Sequence, residues 1–126
     1  MYKIHIPISP QVKPAGAIYN GHITQNKYGY SDWKKKVQIL LKDCRKGLVP
    51  YGCVVVHNNP NWSHGDLLNF VGATMDSLVK AKVIQDDAPR WVNKVYTSLT
   101  RELPVGIDIY ICENREELIE TVCKYC

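Results

Sequence analysis

Apolar and polar positions along the chain fall into short runs with different periods. Tyr2, Ile4, Ile6 and Ile8 alternate with Lys3, His5 and Pro7, the period-two pattern of a half-buried strand. Residues 9–30 are rich in Pro, Gly and Asn and read as a long loop. Ser31 is a good N-cap for the helix that follows. Trp33, Val37, Leu40, Leu41 and Cys44 then form one apolar stripe at helical spacing, closed by Gly47. The run Tyr51-Gly52-Cys53-Val54-Val55-Val56-His57-Asn58 is continuous and β-branched, which predicts a central strand covered on both faces. A turn follows, then a second helix from Asp66 or Leu67 to about Lys80. Leu68, Val71, Met75 and Leu78 make its core stripe, while Asp66, Asn69, Ala73 and Asp76 share another face with Gly72 beside it. Residues 91–100 and 104–112 read as a strand pair. Asn114, with Glu117 three residues on, caps a closing helix.

The predicted order is β-α-β-α-β-β-α, an α+β fold with a mixed β-sheet and helices packed on it. The chain of 126 residues reads as one domain, 1–126, with no repeat or linker. No apolar run approaches the roughly 20 residues that cross a bilayer, so no membrane partner is expected. The N-terminus lacks a signal-peptide pattern, so the expected location is the cytoplasm. Five cysteines, an odd number, argue against a disulfide framework. Cys44, Cys53 and Cys112 read as small buried hydrophobes. Cys123 and Cys126 have C-x-x-C spacing without a second pair of ligands.

Charge changes the picture. The net charge is +4, but residues 1–60 carry +7 and residues 61–126 carry −3. A basic portion beside a group of carboxylates suits an enzyme that acts on a polyanion: cations hold the phosphates, and carboxylates hold a metal at the reacting one. Asp66, Asp76, Asp86 and Asp87 are those carboxylates. Taken singly, each has an ordinary use. Asp66 can cap a helix, Asp76 can be solvated, and Asp86 and Asp87 can shape a turn. The lysines at 34–36, 42 and 46 can likewise be a solvated helix face.

The stretch Gly65-Asp66-Leu67-Leu68-Asn69, then Asp76-Ser77-Leu78, then Ile84-Gln85-Asp86-Asp87-Ala88 resembles the signature of the RusA family of Holliday junction resolvases. In that family a strand leads into Asp-Leu-Asp-Asn, a helix with a partway acid follows, and an Asp-Asp pair precedes another strand. The resemblance covers most of residues 1–112. It implies a homodimeric endodeoxyribonuclease that resolves four-way DNA junctions in recombination and repair, using Mg²⁺ (or Mn²⁺). A four-way junction has approximate two-fold symmetry, which a C₂ dimer matches with one site per cut strand. By position, Asp66 and Asp87 would be metal ligands, Asp86 a further catalytic acid, and Asn69 and Asp76 supporting groups. Lys13, Lys27, Lys34 and Lys35 would contact phosphates. Trp62 would stack on unpaired bases, and His64 lies beside it.

The chain departs from the family pattern at three places. The family's second aspartate falls on Leu68, which cannot bind metal. A lysine one turn further on falls on Gly72. The arginine-rich loop keeps Lys13 but has Ala15 and Ala17. Mg²⁺ needs only one or two carboxylates with water and substrate oxygens, so Asp66 with Asp87 predicts weakened catalysis. The alternative is a non-catalytic branched-DNA-binding homologue with a vestigial metal site. An unrelated small α+β protein is the third reading.

Overall fold

The computed structural model describes residues 1–12, 17–19, 22–24, 29–60, 67–86 and 88–126, with backbone alone at 17–19 and 22–24. Its elements run β1 (Tyr2–Ile6), β2 (Ala17–Tyr19), β3 (His22–Thr24), α1 (Tyr30–Leu41), β4 (Gly52–Asn58), α2 (Leu67–Lys80), β5 (Val95–Thr100), β6 (Gly106–Cys112) and α3 (Arg115–Tyr125). The chain is α+β, with a mixed four-stranded sheet in the order β1-β6-β4-β5.

The order differs from the expected one in two respects. The stretch read as a loop holds the β2–β3 hairpin, with Tyr19 opposite His22. The sequence signal for it is Asn20-Gly21 between the two strands, the strongest short-range mark of a two-residue hairpin connection. Secondly, β5 and β6 do not pair with each other. β4 lies between them, parallel to β5 and antiparallel to β6. Every residue of β4 is buried, as its unbroken apolar run predicts for a central strand.

β4, α2 and β5 form a crossover unit, because parallel neighbours require a long connection and α2 supplies it. The sheet face bearing Ile4, Ile6, Cys53, Val55, Ile107, Ile109 and Ile111 packs on α1 and α2. The opposite face, with Val54, Val56, Tyr110 and Cys112, packs on α3 through Leu118, Val122 and Tyr125. Gly52 makes that docking possible, since a Cβ there would lie 2.8 Å from Leu118 Cδ2.

The helices are shifted relative to the expected stripes. In α1 the buried line is Tyr30, Trp33, Val37 and Leu41, and Leu40 faces outward. Gly29, with φ 74°, stands at the N-cap, so Ser31 lies inside the helix. Trp33 is a core residue whose Nε1 donates to the Ser9 carbonyl at 2.9 Å. In α2 the buried line is Phe70, Ala73, Thr74, Met75, Ser77 and Leu78. Leu68 is not part of it: it is 74% exposed. Asn114 caps α3 as expected, its Oδ1 accepting from Glu117 N at 2.9 Å. Cys53 and Cys112 are buried, Cys44 is half-buried, and Cys123 and Cys126 are exposed; all five are free thiols.

Candidate functional site

The crossover unit determines where the acids can act. β4 ends at Asn58, and α2 begins at Leu67, one residue past Asp66. The helix has 14 residues and so spans about 20 Å. It runs back toward the entry end of β4, where Ile84 bridges Leu48. Asp86 follows two residues later and is half-buried. Leu67 and Asp86, the described neighbours of Asp66 and Asp87, therefore stand toward opposite ends of α2.

Asp66, Asp87, Lys13, Lys27, Trp62 and His64 lie outside the described residues. Of the other predicted site residues, Asn69 and Asp76 are half-buried on α2, and each makes contacts of its own. Asp76 sits close enough to Tyr30 to help raise that phenol to about 12, after the larger effect of burial. Lys34 lies over the Tyr30 ring at 5.1 Å, and Lys35 is exposed. At Gly72 an added Cβ would meet nothing within 4 Å, so the position is open to a side chain. Among the described residues no group of three or more His, Cys, Asp or Glu side chains converges as a metal site.

Two polar clusters at the exit end of β4 escaped the sequence reading. On the α1–α2 face, His57 is fully buried. Its Nδ1 lies 3.3 Å from the Ser98 carbonyl and 3.2 Å from Thr97 Oγ1, and its Nε2 lies 3.4 Å from Thr74 Oγ1. Desolvation holds the imidazole down to about 4, so the ring is neutral at physiological pH. On the α3 face, His5, Asp108 and Asn58 form a chain across three strands. Asp108 Oδ1 lies 2.6 Å from His5 Nδ1, and Asp108 Oδ2 accepts from Asn58 Nδ2 at 2.6 Å. The register explains it: His5 and Val56 both face Asp108, and Asn58 is two residues on from Val56. Asn58 is 1% exposed, and among the described residues its Oδ1 finds no hydrogen-bond partner. The period-two pattern puts His5 and Asp108 on the polar side of their strands, but nothing in the sequence says that β1 pairs with β6.

The exit end of β4 is thus braced by hydrogen bonds on both faces, while α2 carries acidic or amide groups along its length. Chemically, His5 and Asp108 form a charge-assisted contact that ties the strand ends together. His57 fills a core site as a neutral, hydrogen-bonded ring. No family model and no curated protein matches the chain. Among the described residues no helix is long and apolar enough to cross a membrane.

Proposed function

We propose that the chain is a two-fold, Mg²⁺- or Mn²⁺-dependent endonuclease for branched DNA, of the Holliday junction resolvase type that its acids resemble. The observation that carries this reading is the layout of β4, α2 and β5. A strand ends eight residues before Asp66, a helix starts directly after it, and an acidic turn precedes a parallel strand. The outward position of Leu68 supports the same alignment, because a site for a metal-binding carboxylate has to face solvent and substrate. The metal would be held by Asp66 and Asp87, with water and phosphate oxygens completing its shell. When bound, it would activate water and neutralise charge on the phosphoryl oxygens. Lys34 and Lys35 on α1, with Lys13 and Lys27, would hold the strand by its phosphates.

Cutting requires Asp66 and Asp87 to reach one cation. Since α2 separates their neighbours by about 20 Å of helix, a two-fold arrangement of two chains serves this requirement better than one chain alone. The test is a labelled four-way junction incubated at low salt with Mn²⁺. Paired nicks lost in Asp87→Asn support the enzyme. A second reading, a branched-DNA binder without cleavage, is favoured by Leu68, which offers no oxygen to a metal; a shifted band without nicks supports it. Neither a shift nor nicks would defeat both readings.

A further inference from the structure

The turns that follow α1 and α2 are laced together. After α2, Lys82 N donates to the Val79 carbonyl and Val83 N to the Leu78 carbonyl, both at 3.0 Å, the paired bonds that end a helix in a left-handed residue. The turn after α1 has its own left-handed residue, Gly47, with φ 69°. Gly47 N donates to the Lys82 carbonyl at 2.9 Å, and Leu48 N donates to the Val83 carbonyl at 2.8 Å, so each turn braces the other. Two open grooves flank this clasp. One, of about 440 Å³, is lined by Gln38, Ile39, Lys42, Lys46 and Ala81. The other, of about 420 Å³, is lined by Lys46, Gly47, Val79, Lys82, Ile84 and Gln85. Lys46 belongs to both, and its Nζ is anchored by a 3.0 Å bond to the Leu41 carbonyl.

Three observations make these grooves a recognition surface. The first is charge. Lys42, Lys46 and Lys82 line them, while Asp43 and Asp86, the acids nearest in sequence, line neither. Among the described residues no ion pair uses any of the three lysines. The second is apolar surface left in water: Ile39, which shares the first groove with Ala81, is 73% exposed. The third is strain. Lys82 has φ 61°, a conformation that glycine adopts freely and lysine does not. The turn itself has no use for the ammonium, and a glycine would close it with less strain.

We infer that the paired grooves bind a short acidic segment of a partner protein, with an apolar side chain seated against Ile39 and Ala81 and carboxylates on Lys42, Lys46 and Lys82. Charge complementarity sets the sign of the partner, and the uncovered isoleucine sets its second requirement. A nucleic-acid strand meets only the first, since phosphates would leave Ile39 in water. A bilayer takes up apolar groups that stand proud of a surface, whereas these line concavities. A second copy of the chain is a poorer match. Its α3 exposes Glu116, Ile119 and Glu120, but Arg115 and Lys124 are exposed on the same helix. The clasp holds the grooves in shape before binding, which lowers the ordering cost. The inference is independent of the nuclease reading, whose phosphate contacts fall on other lysines.

The experiment titrates the full chain with the peptide acetyl-Glu-Asp-Leu-Phe-Asp-Glu-amide and follows it by NMR. Saturable shifts are expected at the Ile39 and Ala81 methyls and at the Lys46 and Gly47 amides, and added salt should weaken them. An all-aspartate peptide of the same length should bind on the order of 10-fold more weakly, because it leaves Ile39 in water. Ile39→Ser should weaken the first peptide by a similar factor, and its exposed position keeps the fold intact. Lys82→Gly removes a cation and relaxes the turn. It should therefore bind the peptide more weakly while melting no lower than the wild type, an outcome that a purely structural lysine would not give. The absence of saturable shifts at these four positions overturns the inference. So does an all-aspartate peptide that binds as tightly, or a Lys82→Gly variant that binds as well as wild type. A DNA duplex that moves the Ile39 methyl as far and binds more tightly at the same salt assigns the grooves to nucleic acid instead. Binding to anionic phospholipid vesicles that depends on Ile39, with none to the peptide, assigns them to a membrane surface.

Discussion

Acidification should unfold this protein through His57, and the effect can be isolated. The imidazole is held to about 4 by burial, against an ordinary value of 6.5. Its folded value is therefore depressed, and the unfolded chain binds the proton more readily. Stability is full above pH 6.5 and is lost as the pH falls toward 4. Between about pH 7 and pH 5 the loss amounts to about 2 kcal/mol, and below pH 4 to about 3 kcal/mol. The assay is urea unfolding across that range for the wild type and for His57→Phe, a near-isosteric ring that cannot be protonated. Phe at 57 leaves Thr74 Oγ1 its bond to the Phe70 carbonyl at 3.3 Å. The variant can be weaker than wild type at neutral pH; what matters is the slope. It should lose about 2 kcal/mol less than the wild type on going from pH 7 to pH 5. Equal slopes for the two proteins would refute the idea that a buried neutral histidine governs acid stability here.

Three further outcomes follow from single contacts. Asn114→Ala removes the oxygen that accepts from Glu117 N and should cost about 1 kcal/mol, read by thermal melting. Gly106 has φ 156°, and a Cβ there would sit 2.8 Å from the Ile6 carbonyl oxygen and 2.9 Å from His5 Cε1. Gly106→Ala should therefore cost roughly 1–3 kcal/mol and move the His5 ring resonances in an NMR spectrum. Leu68→Asp replaces an exposed leucine in the first turn of α2, so stability should stay within about 0.5 kcal/mol of wild type. If the nuclease reading holds, calorimetry should show tighter Mn²⁺ binding by that variant; unchanged affinity would count against the alignment of position 68.

The sequence disclosed its elements better than their neighbours. β4 and α2 were legible because an unbroken β-branched run and a 3.6-residue period are local signals, and α3 because Asn114 and Glu117 mark its start. The phase of a stripe was less secure. Leu40 lies one position from a buried line and Leu68 two positions before the start of one, and an apolar residue at a helix end can fill either face of the pattern. Strand adjacency was not legible at all. Consecutive strands β5 and β6 invite pairing, but β4 takes the place between them because its two apolar faces must both be covered. For the same reason the His5–Asp108–Asn58 chain had no local signal: its members come from three strands. As for the acids, their order along the chain was readable, but the length of α2 between them became a spatial fact only with the fold.

The pairing of β1 with β6 has a price in time. His5 and Asp108 are 103 positions apart in sequence. Contacts that distant form late, because a long loop must close before they return any energy. β4, α2 and β5 can assemble while the first strand is still searching, and β6 has to leave one side unzipped until that strand arrives. Newly made chains would thus pass through a stage with an open, isoleucine-rich seam, the point at which a crowded solution or a lost N-terminus would turn folding into clumping.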